Sequence, residues 1–325
     1  MDRVARLSAA DRSALFSETA AGMGTTSAII EKDFWVTWVL DRLFRNPELA
    51  RLIMFKGGTS LSKAYRLIER FSEDIDLILD WRELGDEDPL AVRSRSSQER
   101  LNEAINERAQ AVIGGALLDR VSMALGDLCR CAVDSTDPHV INVRYPAAFS
   151  DGYLRPEVRL EIGPLASWLP HEERRIRCYA AEAFPQVFER TECPVRVITA
   201  ERTFWEKATI LHHEAHRPSG NPQPPWYSRH YYDVAKMAES PVKHAALADL
   251  DLLANVVEFK ERFYPRGWAR YDLARPGTFR LVPEGHVLAA VRDDYRAMVN
   301  MIFGAIPEFD DMMTTLTTLQ GEINR

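Results

Sequence analysis

Apolar and polar positions alternate with two different rhythms along the chain. From Asp33 to Leu40 the run Asp-Phe-Trp-Val-Thr-Trp-Val-Leu is apolar nearly all round, which predicts a buried helix within a helical segment spanning residues 1–46. A short strand follows at Leu52-Ile53-Met54-Phe55. It runs into Lys56-Gly57-Gly58-Thr59-Ser60, after which Leu61, Ala64, Tyr65 and Ile68 recur at the i, i+3, i+4, i+7 spacing of a helix. A turn at Arg70-Phe71-Ser72 leads into Asp74 to Leu79, where the rhythm becomes the two-residue alternation of a strand. Residues 82–130 read as a helical insertion, entered by the charged, serine-bearing stretch Arg82 to Ser97. Further strands are predicted at 139–145, 157–162 and 195–198. From Thr199 onward the pattern is helical. It is broken at 217–225 by a segment rich in proline and poor in apolar residues, which predicts an exposed, mobile loop. There is no internal repeat and no low-complexity tail. The organisation is α+β, with a first domain at 1–199 carrying a helical insertion and a helical second domain at 200–325.

Composition narrows the class without naming a chemistry. A chain of 325 residues with 46% hydrophobic and 27% charged side chains suits a globular protein with a substantial core. The formal net charge of −7 gives no global attraction to nucleic acid, so any polyanion site has to be a local patch. Cys129, Cys131, Cys178 and Cys193 have neither a disulfide framework nor a zinc spacing, which suits a reducing cytoplasm. No apolar run approaches membrane-spanning length and the N-terminus has no signal-peptide core. The expectation is therefore a soluble cytoplasmic protein without a membrane partner.

The candidate chemistry sits on the alternating strand. Ile75, Leu77 and Leu79 share one face, and Asp74 and Asp76 share the other. Two carboxylates at i, i+2 repel, and a divalent cation relieves that repulsion. Mg²⁺ prefers a few carboxylates plus phosphate oxygens, and two such ions clamp a phosphoryl centre during in-line displacement. An Asp-x-Asp alone is commonly just a solvated strand face. Asp249-Leu250-Asp251 has the same spacing and is discounted, because it lies in a helical run with no glycine turn before it. What distinguishes Asp74 and Asp76 is the strand, glycine turn and helix start that precede them. Glycines let backbone approach a phosphate closely, and free N–H groups there favour an anion. Lys56, Gly57, Gly58, Thr59 and Ser60 are the candidate nucleotide-binding residues, with Thr59 or Ser60 offering a hydroxyl. Glu161, which shares a strand face with Glu157 and Arg159, is the candidate third metal ligand. An Arg159–Glu161 surface pair is the alternative reading of that spacing.

The run from Gly57 to Leu79, GGTSLSKAYRLIERFSEDIDLIL, resembles the signature of the AbiEii/AbiGii toxin family of nucleotidyltransferases: a Gly-Gly-Thr/Ala turn, a helix, then Arg-x-Ser-x-Asp-x-Asp. Gly57, Gly58, Thr59, Arg70, Ser72, Asp74 and Asp76 match it. Glu31-Lys32-Asp33-Phe34 looks like the family's N-terminal helix, and Ile302-Phe303-Gly304 with Pro307, Phe309 and Asp310 looks like its C-terminal helices. The resemblance implies a DNA polymerase β-type nucleotidyltransferase core, a mixed sheet flanked by helices, with a C-terminal helical domain. It implies Mg²⁺ and a nucleoside triphosphate, transfer of a nucleoside monophosphate to an acceptor, and a toxin of a toxin–antitoxin or phage-defence system with a cognate antitoxin. Some relatives modify tRNA 3′ ends, which makes tRNA the leading acceptor. Transfer to a protein or small metabolite, or a non-catalytic module binding RNA or a partner, are the alternatives.

The resemblance also points to a lysine on a helix and a downstream aspartate after an arginine, matched by Lys207, Asp233 and Arg229. The residues agree: Phe204, Lys207, Ala208 and Leu211 fall on one helical stripe, so Lys207 points inward and needs an anionic partner, unless it snorkels at the helix edge. Arg229 either grips phosphate or pairs with Asp233 at i, i+4, and Asp233 orients Lys207 or the acceptor. Ser72, beside the strand, touches phosphate or caps the turn. His212, Glu214 and His216 lack the spacing of a zinc motif and read as solvated helix surface. Between 260 and 280, Lys260, Arg262, Arg266, Arg270, Arg275 and Arg280 are interleaved with Tyr264, Trp268 and Tyr271, a composition suited to RNA backbone and unstacked bases or, equally, to a helix surface over core aromatics.

Overall fold

The computed structural model describes residues 1–149 and 155–325. The chain divides into two compact units: Met1–Ala64 with Ser72–Ile198, and Tyr65–Phe71 with Thr199–Arg325.

The first unit is built on a mixed seven-stranded sheet of order β3-β4-β5-β2-β1-β7-β6. The strands are β1 (Ile53–Lys56), β2 (Ile75–Leu79), β3 (Arg130–Val133), β4 (Val140–Arg144), β5 (Glu157–Gly163), β6 (His171–Ile176) and β7 (Cys193–Ile198). β2 is central, antiparallel to β1 and parallel to β5. The sequence predicts β1, β2, β4, β5 and β7. It gives no sign of β3 or β6, the two strands that form the sheet's edges. In β6 five of six residues, His-Glu-Glu-Arg-Arg, are polar, and in β3 alternate residues face solvent. Charged edges discourage pairing with other chains, and for the same reason they carry little hydrophobic signal.

The Ser27–Arg45 helix packs on β7 and β5. Thr26 caps it, its hydroxyl accepting from the Ile29 N–H, and Arg42 and Arg45 occupy its last turn, where the dipole favours cations. Phe34, Trp35 and Trp38 are fully buried, with Trp35 stacked on Tyr145 at 5.3 Å. Burying each such ring contributes about 1.5–3 kcal/mol, and more for tryptophan. The insertion is helical as expected, running from Arg95–Val112 through a π-helical turn at Ile113–Leu117 to Leu118–Leu125.

The helix after the glycine turn is shorter than the apolar spacing predicts. It covers only Gly57–Lys63, and Arg66 is left-handed at φ 55°. Tyr65–Phe71 belongs to the second unit. There the Phe71 N–H donates to the Met301 carbonyl at 2.7 Å, and the Phe303 N–H donates to the Glu69 carbonyl at 2.7 Å. Ile68 is buried as the spacing requires, but outside the helix, so pairing of the next residues with a segment distant in sequence has overridden local periodicity.

The second unit holds the helices Ala200–Glu214, Ser228–Ala238, Val242–Ala248, Leu250–Phe263, Gly285–Met298 and Phe309–Ile323. Asp249, half of the discounted Asp-x-Asp, caps the Leu250–Phe263 helix by accepting from the Leu252 N–H at 2.9 Å. Among the described residues no helix is long and apolar enough to cross a membrane.

Candidate active site

In the first unit the pleat decides which side chains meet. Asp76 is registered with Glu161 across the parallel β2–β5 pair and with Lys56 across the antiparallel β1–β2 pair. Ile75 is opposite Leu160, so Asp74 begins the strand beside Arg159. Asp74, Asp76, Arg159 and Glu161 thus share one sheet face, while Ile75, Leu77, Val158, Leu160 and Ile162 are buried on the other. Farther along β2 the charged face turns apolar, where Met54, Ile78 and Ile198 cluster under Trp168. The charge is confined to the end of the strand that follows the glycine turn.

Gly57 is fixed twice over. Its φ of 82° is one that side chains rarely adopt, and a Cβ there would stand 1.9 Å from Asp76 Oδ2 and 2.5 Å from its Cγ. The backbone of the turn therefore lies directly against the Asp76 carboxylate. Thr59 and Ser60 are buried, and their hydroxyls are committed. Thr59 Oγ1 lies 2.9 Å from Ser72 Oγ and donates to the Asp74 carbonyl, while Ser60 donates to the Gly57 carbonyl at 2.8 Å. These hydroxyls shape the turn and tie it to the start of β2, and Ser72 takes part in that tie.

The carboxylates strain against one another. Burial, then Glu161, Glu73 and Asp76, push the Asp74 carboxyl up to about 7, against a smaller opposing pull from Lys32. Asp74 Oδ1 is buried without a hydrogen-bond partner among the described residues. A buried oxygen left in this way, between like charges, has the chemistry of a cation ligand. Asp74, Asp76 and Glu161 are thus the residues fit to hold a divalent ion, although among the described residues no group of three His, Cys, Asp or Glu is drawn together as a metal cage. Arg159 intervenes, with Nε 4.0 Å from Asp74 Oδ1 and 3.7 Å from Glu161 Oε1.

Lys32, which local pattern does not link to β2, is a neighbour of these groups. It is buried and donates to Glu73 Oε2 at 2.9 Å and to the Arg155 carbonyl at 3.0 Å. Glu31 accepts from the Ala148 and Phe149 N–H groups, and Asp33 accepts from the Tyr179 N–H and pairs with Lys63. The signal was present in the sequence: three adjacent charges entering an otherwise apolar helix.

The second unit gathers charge around Asp233, which is completely buried. Arg70 grips it with two bonds, Nε to Oδ1 at 2.7 Å and Nη2 to Oδ2 at 2.8 Å, and Lys207 Nζ stands 2.9 Å from Oδ2. Burial works to raise the Asp233 pKa, but the two cations outweigh it and hold the group anionic. For Lys207 burial dominates and the ammonium pKa falls, against the pull of Asp233. The inward stripe holds, since Phe204, Lys207, Ala208 and Leu211 are all buried, so Lys207 does not snorkel. Arg229 does not pair with Asp233, whose oxygens Arg70 and Lys207 occupy; it is exposed. His230 Nδ1 lies 3.4 Å from Lys207 Nζ, and burial followed by Lys207, Arg229, Arg70 and Lys260 pushes its pKa well down. The cluster carries an excess of positive charge over one carboxylate, which suits it to an anion.

His212, His213 and Glu214 are buried, which overturns the reading of 212–216 as solvated helix surface. Glu214 pairs with Arg217 through two 2.6 Å bonds, Arg217 packs over Trp268, and His212 accepts from the Arg280 N–H. The exposed loop at 218–222 hides this polar network from a reading by hydropathy. Of the basic run at 260–280, Arg262 and Arg270 are paired with Glu258 and Asp272, while Arg275 and Arg280 face solvent.

A family model described as nucleotidyl transferase AbiEii toxin, type IV TA system, matches residues 38–315. The chain belongs to the AbiEii family. It is therefore a nucleotidyltransferase and a toxin of the type IV toxin–antitoxin class, which implies a nucleoside triphosphate substrate and a cognate antitoxin. The match takes in the glycine turn, β2, Lys207 and Asp233 of this AbiEii chain. Among solved structures, MenT4, the nucleotidyltransferase toxin Rv2826c of Mycobacterium tuberculosis H37Rv, is similar at 17% identity and a TM-score of 0.48, over 96% of this chain and 89% of that one. JHP933 from Helicobacter pylori is similar at 15% identity and a TM-score of 0.44, over 91% of each chain. No curated protein matches the chain.

Proposed function

We propose that this AbiEii toxin transfers a nucleoside monophosphate from a Mg²⁺-bound triphosphate to RNA, with a tRNA 3′ end as the acceptor. The observation that carries the reading is the contact of the Gly57 backbone with the Asp76 carboxylate, two residues from an Asp74 oxygen left without a hydrogen-bond partner in a field of like charge. A phosphate turn and a carboxylate pair pressed against each other suit a ligand that is a metal and a polyphosphate at once. Asp74 and Asp76, with Glu161 registered beside Asp76, would hold Mg²⁺, which when bound supplies charge neutralisation for the triphosphate.

The acceptor hydroxyl oxygen forms a bond to the α-phosphorus, the bond from that phosphorus to the bridging oxygen breaks, and pyrophosphate leaves. The chain's contribution is positioning and charge. Lys56, Gly57 and Gly58 supply the turn, and Thr59, Ser60 and Ser72 keep its shape. Within the second unit, Asp233 keeps Lys207 an oriented ammonium, and Lys207 with Arg229 gives that unit cations suited to a polyanion. Arg275, Arg280 and Tyr264, all exposed, support RNA as the acceptor class.

Incubation with each of four α-labelled triphosphates, total RNA and lysate protein tests the reading. Label should appear on RNA of tRNA size. Asp74→Ala or Asp76→Ala should lower transfer by at least about 10³-fold while the protein's melting transition persists. Label on protein, or unchanged transfer by the variants, overturns the acceptor or the site respectively.

A further inference from the structure

We propose that Arg159 takes the place of one of the two divalent cations of a two-metal site, so that the isolated protein loads a single divalent ion at its carboxylate strand. The inference rests on the reading of Asp74 and Asp76 as the metal-holding pair.

Four observations carry it. The first is position: the β2–β5 register sets Arg159 beside Asp74 and two residues before Glu161 on the same face, and its Nε lies within ion-pair range of both carboxylates, at 4.0 and 3.7 Å. Arg159 thus places a positive charge between the Asp74 and Glu161 carboxylates, where a second divalent ion would otherwise supply one.

The second is that the guanidinium is held from behind. Its Nη1 donates to Asp134 Oδ2 at 3.0 Å. Asp134 is itself pinned, accepting from Asn142 Nδ2 at 2.9 Å, Thr136 Oγ1 at 2.7 Å and the Thr136 N–H at 2.9 Å. Asn142 is the register partner of Arg159 across β4–β5, so the sheet aligns anchor and arginine. This is a fixed side chain with about a fifth of its surface exposed, unlike the loose surface pair that the i, i+2 spacing alone suggests.

The third is the division of the carboxylates: Glu161 stands nearer the guanidinium, at 3.7 Å, than Asp74 does, at 4.0 Å. The fourth is chemical. An arginine cannot lose its proton in a protein, so its charge is permanent at any working pH and competes with a second cation under all conditions. Asp74 Oδ1, beyond hydrogen-bond distance of Arg159 and otherwise unpartnered, remains for the one ion.

Mn²⁺ binding to the full-length protein, followed by electron paramagnetic resonance of the free ion, tests the assignment without reference to turnover. The wild type should bind one equivalent. Arg159→Gln should bind a second equivalent, or the first at least about tenfold more tightly, because a positive charge has left the cluster. Arg159→Lys, which keeps the charge, should stay at one. Two equivalents on the wild type, or an Arg159→Gln isotherm that overlays the wild type, overturns the proposal; the wild-type count decides alone if Arg159→Gln does not fold. Asp76→Asn serves as the control. Undiminished Mn²⁺ binding by that variant removes the carboxylate pair as the metal site, a result distinct from failure of the Arg159 assignment.

Discussion

At Gly57, two constraints of different origin coincide. The positive φ alone would cost a side chain about 1–2 kcal/mol, and the Asp76 carboxylate leaves no room for a Cβ. Gly57→Ala should therefore lower stability and also displace Asp76. The expected outcome is a fall in melting temperature, together with a loss of transfer far larger than that fall explains, measured by calorimetry and by label transfer on the same preparation. Alanine tolerated with full activity contradicts the close approach. Asp74 gives a second residue-scale expectation. Its carboxyl is raised to about 7 in the folded chain from an ordinary value of 3.8. The folded state then binds a proton that the unfolded state has released, so this group's contribution to stability is complete below about pH 4 and is lost as pH rises through 7. Metal-free protein should lose stability over that interval more steeply than Asp74→Asn does. Parallel denaturation curves for the two at pH 5, 6, 7 and 8 check it, and equal slopes count against the raised value.

At the scale of elements, the parts legible in the sequence are those where local pattern and tertiary role agree. β2 shows itself because Ile75, Leu77 and Leu79 alternate with its carboxylates, and the inward lysine because Phe204, Ala208 and Leu211 surround Lys207. Where the two diverge, the sequence misleads. Leu61 to Ile68 keeps helical spacing, yet Ile68 is buried outside the helix, just before Glu69 and Phe71 pair with Phe303 and Met301. β3 and β6 are edges whose surface is charged or half solvated. His212 and Glu214 are polar and buried, and what buries them, Arg217, Trp268 and Arg280, lies on other segments. The partners of Asp233 show the same divergence of local and distant signals. The near candidate, Arg229, lost to Arg70, 163 residues away in sequence. The Ala200–Glu214 helix carries its own prediction. Lys207→Met keeps the length of the stem, removes one of two cations from a buried carboxylate and should destabilise the protein by about 1–3 kcal/mol. It should also weaken binding of a nonhydrolysable triphosphate by about tenfold or more in titration calorimetry. A stability loss with unchanged nucleotide affinity confines Lys207 to a structural role.

At the scale of the whole molecule, a net charge of −7 and a nucleotidyltransferase activity are reconciled by local concentration of charge. The first unit concentrates carboxylates at one end of β2. The second concentrates Lys207 and Arg70 about a single buried aspartate. Membership of a toxin–antitoxin family implies a cognate antitoxin for such a chain. The proposed binding place of metal and triphosphate is the Asp74–Asp76 strand end, pressed against the Gly57 turn. The most direct measurement is diffraction from crystals grown with Mn²⁺ and a nonhydrolysable triphosphate. The account predicts an anomalous peak at the carboxylates of Asp74 and Asp76 with phosphate density at Gly57 and Gly58; bound nucleotide with no manganese at that strand end would contradict it.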